Sequence, residues 1–297
     1  MQIESIKMFC DLAETESFTK AAQINGITQS AVSQQIRAME KHFGCHLVER
    51  SKKKFRLTRE GDLLNQYGLN LVKEFDELRC KLLELRDVVS GTIRLATIYS
   101  IGLHDLPLYL RKYLRQYPSV SVQVEYRRAN QVYEDVLSNV VDIGMVAYPM
   151  RDTKLEIIPL HRDKMVLITS VDHPFVHKKS IHLKDLNGQK FVGFETGTPT
   201  RKAVDKLFLD NDIEVDMVME FDNVETVKRA VEINNGVSLV PSRTVAQEVS
   251  AHSIVKIIPV DIELYRPIAA IVKRDKPLSP AMREFIAALK NSGDDEE

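Results

Sequence analysis

The side chains best suited to chemistry lie between Thr28 and Arg37, in a polar stretch without an acidic residue. Val32 and Ile36 are four residues apart and Met39 follows three residues later, so we expect them on the buried face of one helix. The opposite face then presents side chains that donate and accept hydrogen bonds: Gln29, Ser30, Ser33, Gln34 and Arg37. Such side chains read base edges and phosphate oxygens in the major groove of DNA.

A shorter helix precedes this stretch, and the residues between the two helices predict a tight turn. Ser17 is a good N-cap for the first helix, and Thr28 is a good N-cap for the second. Ala22 is small where the helices must cross, and Gly26 can adopt the left-handed conformation that ends a helix. This spacing favours a helix-turn-helix over an ordinary helical hairpin with a polar surface.

A basic run follows the second helix. Residues 50–59 contain no acid and carry six cations: Arg50, Lys52, Lys53, Lys54, Arg56 and Arg59. We predict a small hairpin, or wing, that turns at residues 51–54. Its lysines would contact phosphates, and Arg50 and Arg56 would enter the minor groove. The alternative is a solvated turn, but the position directly after a recognition helix favours DNA contact.

A long helix is predicted from residues 58–61 to about Val89. Its apolar residues are spaced four, three, four and three apart, in a heptad pattern: Leu71, Phe75, Leu78, Leu82 and Leu85. We expect this seam to pair with a second copy of the chain, which would let two heads read two DNA half-sites. The alternative is a helix buried inside one chain.

Ser90 and Gly91 break the helix and mark the best domain boundary. Strands and helices alternate after Gly91, which predicts a mostly parallel, doubly wound α/β fold in two similar units. Two such units leave a cleft between them, and ligands of these folds bind there.

Two loops are expected to face this cleft, at residues 99–102 and 195–201. Hydroxyls, free backbone amides and a helix N-terminus suit a carboxylate or phosphate, and Arg201 could add a charge. The alternative is that Thr198 or Thr200 merely caps the helix. The candidate effector-binding residues are Tyr99, Ser100, Ile101, Gly102, Arg128, Tyr148, Thr196, Thr198, Thr200, Arg201 and Asn223, with Arg127, Asn130 and Asp222 beside them.

Length and composition limit the remaining possibilities. At 297 residues the chain predicts two or three domains, and its net charge of −1 makes the basic run a local feature. The three cysteines fit no disulfide framework, the eight histidines show no metal-ligand spacing, and no catalytic motif is present. We therefore expect no cofactor, no metal and no enzymatic activity. No membrane-spanning run or signal peptide is found, so we expect a cytoplasmic protein.

These features together resemble the LysR-type transcriptional regulators. The resemblance rests on residues 17–18, 21–22, 29–36, 47–50 and 57–58 in the head, and on residues 91–95, 117–118, 141–144 and 235–241 further on. It implies a winged helix-turn-helix over residues 1–60, a linker helix and hinge over 61–90, and an effector domain over 91–297. The effector domain would resemble periplasmic binding proteins, with one subdomain at about 91–163 and 266–297 and the other at about 164–265.

The resemblance also implies partners. These are double-stranded promoter DNA, a small anionic effector, further copies of the chain in a dimer or tetramer, and RNA polymerase for an activator. By the family pattern, Gln29, Ser30, Ser33 and Arg37 face the major groove, with Thr28 and Arg50 near phosphate or minor groove. The 195–201 loop is similar to that of regulators of carbon-fixation operons. Two alternatives remain: a constitutive repressor without an effector, and an enzyme fused to a DNA-binding head.

Overall fold

A computed structural model describes residues 1–49, 55–84, 89–261, 263–274 and 276–291. Several residues named above lie outside the described ranges: Arg50, Lys52, Lys53, Lys54 and Leu85. The turn of the predicted wing and the acidic residues 294–297 also lie outside them.

The N-terminal head contains three helices, α1 (Ile3–Thr15), α2 (Phe18–Ile24) and α3 (Gln29–Phe43). Ser17 and Thr28 cap α2 and α3 by accepting hydrogen bonds from backbone amides of the first turns. Gly26 has φ 63°, a left-handed conformation that costs a glycine little. The three helices pack around a shared apolar core that holds Phe9 and Val32. An antiparallel bridge joins Val48 to Leu57 on either side of the undescribed turn.

Helix α4 (Arg59–Glu84) leaves the head and leads toward the second part of the chain. The helix is predicted to end at about Val89; residues 85–88 lie outside the described ranges, and Val89 itself is not helical. Val89 instead packs against the core of the following domain.

Subdomain I is built on a sheet with the order β2-β1-β3-β9-β4. Its elements are β1 (Gly91–Thr97), α5 (Tyr99–His104), α6 (Leu106–Gln116), β2 (Val120–Tyr126), α7 (Ala129–Leu137), β3 (Ile143–Ala147), the first part of β4 (Leu155–Ser170), β9 (Tyr265–Lys273) and α11 (Pro280–Asn291). Helices α6 and α11 cover one face of the sheet, and α7 covers the other.

Subdomain II continues the sheet through the second part of β4. Its other elements are β5 (Lys190–Phe194), α8 (Pro199–Asp210), β6 (Asp216–Phe221), α9 (Val224–Glu232), β7 (Ser238–Pro241), α10 (Ala246–Ser250) and β8 (Ile254–Ile257). Strand β4 pairs with β7 and β8, β5 pairs with β6, and a bridge from Phe191 to Val237 joins the two sets. Helices α8 and α9 pack against separate apolar clusters.

Strands β4 and β9 carry the chain between the subdomains. Strand β4 pairs with β9 as far as Lys164 opposite Tyr265, and then with β7 from Met165 opposite Pro241. One strand leaves subdomain I and the other returns to it, so they run antiparallel. The strands of each subdomain mostly run in one direction, as predicted, and one crossing strand in each runs the other way. In subdomain I, β9 opposes β2, β1, β3 and β4, and in subdomain II, β4 opposes β5, β6, β7 and β8.

Among the described helices, none has both the length and the apolar character needed to cross a membrane.

Candidate functional site

The exposed face of α3 carries the residues predicted to contact DNA. Thr28, Gln29, Ser30, Gln34 and Arg37 are exposed, and Ser33 is half-buried. Their side chains hold one another in place: the amide of Gln29 donates to the Ser33 hydroxyl over 3.3 Å, and the Thr28 and Ser30 hydroxyls lie 2.9 Å apart. Thr28 Oγ1 also accepts from the backbone N–H of Ala31 over 3.2 Å. The face therefore presents an organised set of donors and acceptors.

The buried face of α3 fixes the helix to the rest of the head. Val32, Ile36 and Met39 are buried in the core of the head. The carboxylate of Glu40 accepts from the backbone N–H of Leu47 over 2.9 Å, which ties α3 to the start of the wing. Arg56, on the returning side of the wing, is exposed.

The predicted seam on α4 is exposed in the single chain. Between 37% and 52% of each described seam residue is accessible to solvent: Leu71, Phe75, Leu78 and Leu82. Two further exposed residues, Leu63 and Tyr67, extend this apolar stripe toward the head. A different face of α4 packs on α1, where a Cβ on Gly68 would lie 2.9 Å from Ile6 and 3.0 Å from Cys10. Contacts within the chain thus leave the stripe uncovered.

A cleft of about 440 Å³ lies between the two subdomains. Most of the residues predicted to bind an effector line it: Tyr99, Ser100, Arg128, Thr196, Thr198, Thr200 and Asn223. Arg127, Asn130 and Asp222 line it as well. Helices α7, α8 and α9 all begin at residues of this lining. Their first-turn amides lack partners within the helix, and the positive ends of the helix dipoles lie at the cleft.

Charged side chains cross the mouth of the cleft. Arg128 of subdomain I lies 3.2 Å from Asp222 and 3.5 Å from Glu195, both of subdomain II. Lys202 also lines the cleft, and no carboxylate of the described residues lies within ion-pair distance of it. Thr198 caps α8, because its hydroxyl accepts from the Arg201 N–H over 3.2 Å and donates to the Glu195 carbonyl over 3.0 Å.

Four of the candidate effector-binding residues do not line the cleft: Ile101, Gly102, Tyr148 and Arg201. Ile101 is fully buried in the core of subdomain I, and Tyr148 packs against that core. Gly102 has a packing role, because a Cβ there would lie 2.5 Å from the ring of Tyr126. These residues are close in sequence to residues that line the cleft, but they do not line it themselves.

The side chain of Arg201 is held by neighbours within subdomain II. Its guanidinium contacts Asp205 at 2.6 Å and Glu220 at 2.5 Å, and it donates to the Phe194 carbonyl over 2.9 Å. The hydrogen bond from Arg201 holds the pKa of Glu220 below its ordinary value. Two carboxylates already neutralise Arg201, and the structure does not place it in the lining of the cleft.

Arg266, which was not among the predicted site residues, lines the base of the cleft and is almost fully buried. Arg266 donates to Asp163 over 2.9 Å and to the Ser100 hydroxyl over 2.8 Å. Burial raises the pKa of Asp163, and the charge of Arg266 opposes this shift. The opposite charges of Asp163 and Arg266, at the predicted boundaries between the subdomains, could have suggested an ion pair. Only the register of β4 and β9 shows that these two residues lie opposite each other.

Within the described ranges, no three His, Cys, Asp or Glu side chains cluster in a way that could hold a metal ion.

Two family models match consecutive parts of the chain. The model for "Bacterial regulatory helix-turn-helix protein, lysR family" matches residues 3–62, and the model for "LysR substrate binding domain" matches residues 86–294. The transcriptional activator CmpR of Synechocystis sp. is 30% identical over 83% of this chain and 81% of its own length.

Solved structures share the fold. A full-length OxyR variant from Pseudomonas aeruginosa covers 98% of this chain and 94% of its own, with a TM-score of 0.70 and 19% identity. The Synechocystis CcmR regulatory domain, in complex with 2-PG, covers 70% of this chain and 99% of its own, with a TM-score of 0.64 and 24% identity. The solved structures confirm the predicted fold class. The two family models and CmpR confirm the resemblance drawn from the sequence.

Proposed function

The chain belongs to the LysR family of transcriptional regulators, and we propose that it binds promoter DNA through α3 and responds to a small anionic metabolite held between its subdomains. The DNA contacts follow from the exposed face of α3. Gln29 and Ser33 are positioned there to meet base edges, and Arg37 to meet a phosphate or a base. The exposed Arg56 of the wing enters the minor groove, and the lysines of the wing add contacts to phosphates that do not depend on sequence.

The anionic class of the effector is supported by one observation above all. Three helices of eight or more residues, α7, α8 and α9, begin at the cleft, and helix N-termini favour negative charge. Lys202 adds a cation that lies outside the ion pairs of the described residues. The hydroxyl of the buried Thr200, at the start of α8, adds a polar group. A carboxylated or phosphorylated metabolite satisfies this arrangement.

The stripe on α4 supports a homodimer. Its leucines and Phe75 follow a heptad pattern and lie exposed in the single chain, which is costly unless a second helix covers them. Two heads on one dimer would read two half-sites related by a two-fold axis. We also propose that the protein forms a homotetramer, contacts RNA polymerase during activation and is located in the cytoplasm.

Enzymatic turnover receives no support from the relatives, which are named as transcriptional regulators. The proposal therefore assigns the cleft to binding alone, without a chemical step.

Calorimetric titration of the full-length protein tests the class of effector. The compounds are inorganic phosphate, 2-PG, succinate, citrate and glucose 6-phosphate, with glucose as the uncharged control. We expect one or more of the anions to bind with one site per chain, and glucose not to bind. Failure of every anion to bind, whether or not glucose binds, would contradict the proposed effector class.

A further inference from the structure

A buried ion pair lies at the base of the effector cleft and contacts a residue of its lining. Arg266 and Asp163 are 1% and 2% exposed and stand opposite each other in the β4–β9 register. Arg266 Nη2 donates to Asp163 Oδ2 over 2.9 Å, and Arg266 Nη1 donates to Ser100 Oγ over 2.8 Å. The pair therefore joins both strands that cross between the subdomains to a side chain of the cleft.

This contact decides how the Ser100 hydroxyl can act. A guanidinium has only donors, so the Ser100 oxygen must be the acceptor in its bond with Arg266. The hydroxyl proton of Ser100 then remains to be donated, and the described residues provide no acceptor for it. Ser100 is only 8% exposed and lines the cleft. A molecule in the cleft that carries an acceptor oxygen would satisfy this donor.

Arg266 has a second donor to offer. Its Nε is buried and has no hydrogen-bond partner in the described part of the chain. Buried polar groups are almost always paired, and an unpaired one lowers stability. The Ser100 hydroxyl proton and Arg266 Nε are both donors without a partner in the described part of the chain. Such donors suit a group that only accepts, such as a carboxylate or a phosphate.

We propose that Arg266, held by Asp163, is a positioning residue that makes Ser100 a hydrogen-bond donor to an anionic oxygen of the effector. This rests on the proposed function, since it assumes that an anion occupies the cleft. The charge of Arg266 is already balanced by Asp163. The pair therefore selects the effector by the direction of a donated hydrogen bond. The helix N-termini at the cleft and Lys202 supply the positive potential.

The test measures binding of the tightest compound of the anion panel to the full-length protein by calorimetry. Ser100→Ala is expected to weaken binding about tenfold to a hundredfold, the range for a hydrogen bond to a charged group. Ser100→Thr keeps the hydroxyl and is expected to stay within about threefold of the wild type. The double variant Asp163→Asn with Arg266→Gln removes both charges together, so that neither is left buried alone. It is expected to weaken binding as much as Ser100→Ala.

The combination of all three substitutions distinguishes positioning from a general structural effect. If Arg266 acts through Ser100, the triple variant binds no more weakly than Ser100→Ala. Losses that multiply in the triple variant would overturn the proposal, as would wild-type affinity in Ser100→Ala. If the double variant does not fold by circular dichroism, Arg266→Lys replaces it, because one ammonium cannot reproduce the two-armed contact. Arg266→Lys is then expected to match Ser100→Ala, and wild-type affinity would overturn the proposal.

The outcomes separate this proposal from the proposed function. A wild-type protein that binds none of the anions counts against both. A wild-type protein that binds an anion, with a Ser100→Ala variant that binds it equally well, counts against the positioning role alone.

Discussion

The carboxylate of Asp142 is expected to stabilise subdomain I in a way that depends on pH. Asp142 is buried and accepts hydrogen bonds from the backbone N–H and guanidinium of Arg94 and from Lys276 Nζ, at 2.8 to 3.2 Å. Burial alone would raise its pKa. The hydrogen bonds from Arg94 and the charge of Lys276 outweigh burial and lower the pKa from 3.8 to about 2.

The size of the effect follows from this pKa difference. A carboxyl group that titrates at about 2 when folded and at 3.8 when unfolded contributes about 2.5 kcal/mol to the free energy of unfolding at neutral pH. Because the folded pKa is depressed, this contribution is fully present above pH 4 and is lost as the pH falls toward 2. Asp142→Asn removes the titrating group and is expected to lower the free energy of unfolding by about 2.5 kcal/mol at pH 6.

Urea unfolding of the full-length protein, followed by circular dichroism between pH 2.5 and 6, measures this difference. The gap between wild type and Asp142→Asn should narrow as the pH falls below 4. A matched control is Asp205→Asn, which removes a carboxylate from a more exposed ion pair with Arg201. This control should change stability by less than about 1 kcal/mol. A gap for Asp142→Asn that stays constant over the whole pH range would show that the titration of Asp142 does not stabilise the fold.

Three further predictions concern DNA, assembly and effector. Alanine at Gln29 or at Ser33 should weaken binding to the cognate site by about 1–3 kcal/mol and binding to random DNA very little, as measured by fluorescence anisotropy. Equal losses on both DNAs would refute base reading. Leu78→Asp places a charge in the exposed seam and should halve the molar mass of the dimer measured by light scattering. An unchanged mass would exclude the seam as the dimer interface. Thr200→Val and Lys202→Ala should each weaken binding of the tightest anion about fivefold or more, because each removes a polar or charged group of the lining. DNA affinity without the anion should stay unchanged. If anion affinity is unaffected, the start of α8 is not part of the effector site.

The head could be predicted from the sequence because its determinants are local. Ser17 and Thr28 cap the helices that directly follow them, and Gly26 has the left-handed conformation that its position in the turn requires. The periodicity of Val32, Ile36 and Met39 also fixes which face of α3 is buried. Each of these features depends on residues within one or two turns.

The effector cleft was predicted less completely because its side chains meet across long sequence separations. The sequence did not indicate an ion-pair partner for Arg201. In the fold, Glu220 of the neighbouring strand β6 contacts its guanidinium. The antiparallel pairing of the crossing strands places Arg266 opposite Asp163, and Ser100 reaches Arg266 from α5, 166 residues earlier in the chain. A sequence motif identifies a loop that faces a cleft, but it does not identify which of its charges are already paired.

In the proposed function, one chain couples DNA binding to the binding of a small anion. The most direct test is footprinting of the protein on the DNA upstream of its own coding region, with and without the anion that binds most tightly in calorimetry. We expect protection of an interrupted palindrome, with an extent that changes when the anion is added. Protection that is the same in the presence and absence of every binding anion would contradict the coupling, and the absence of any sequence-specific protection would contradict the assignment of α3 to base reading at this site.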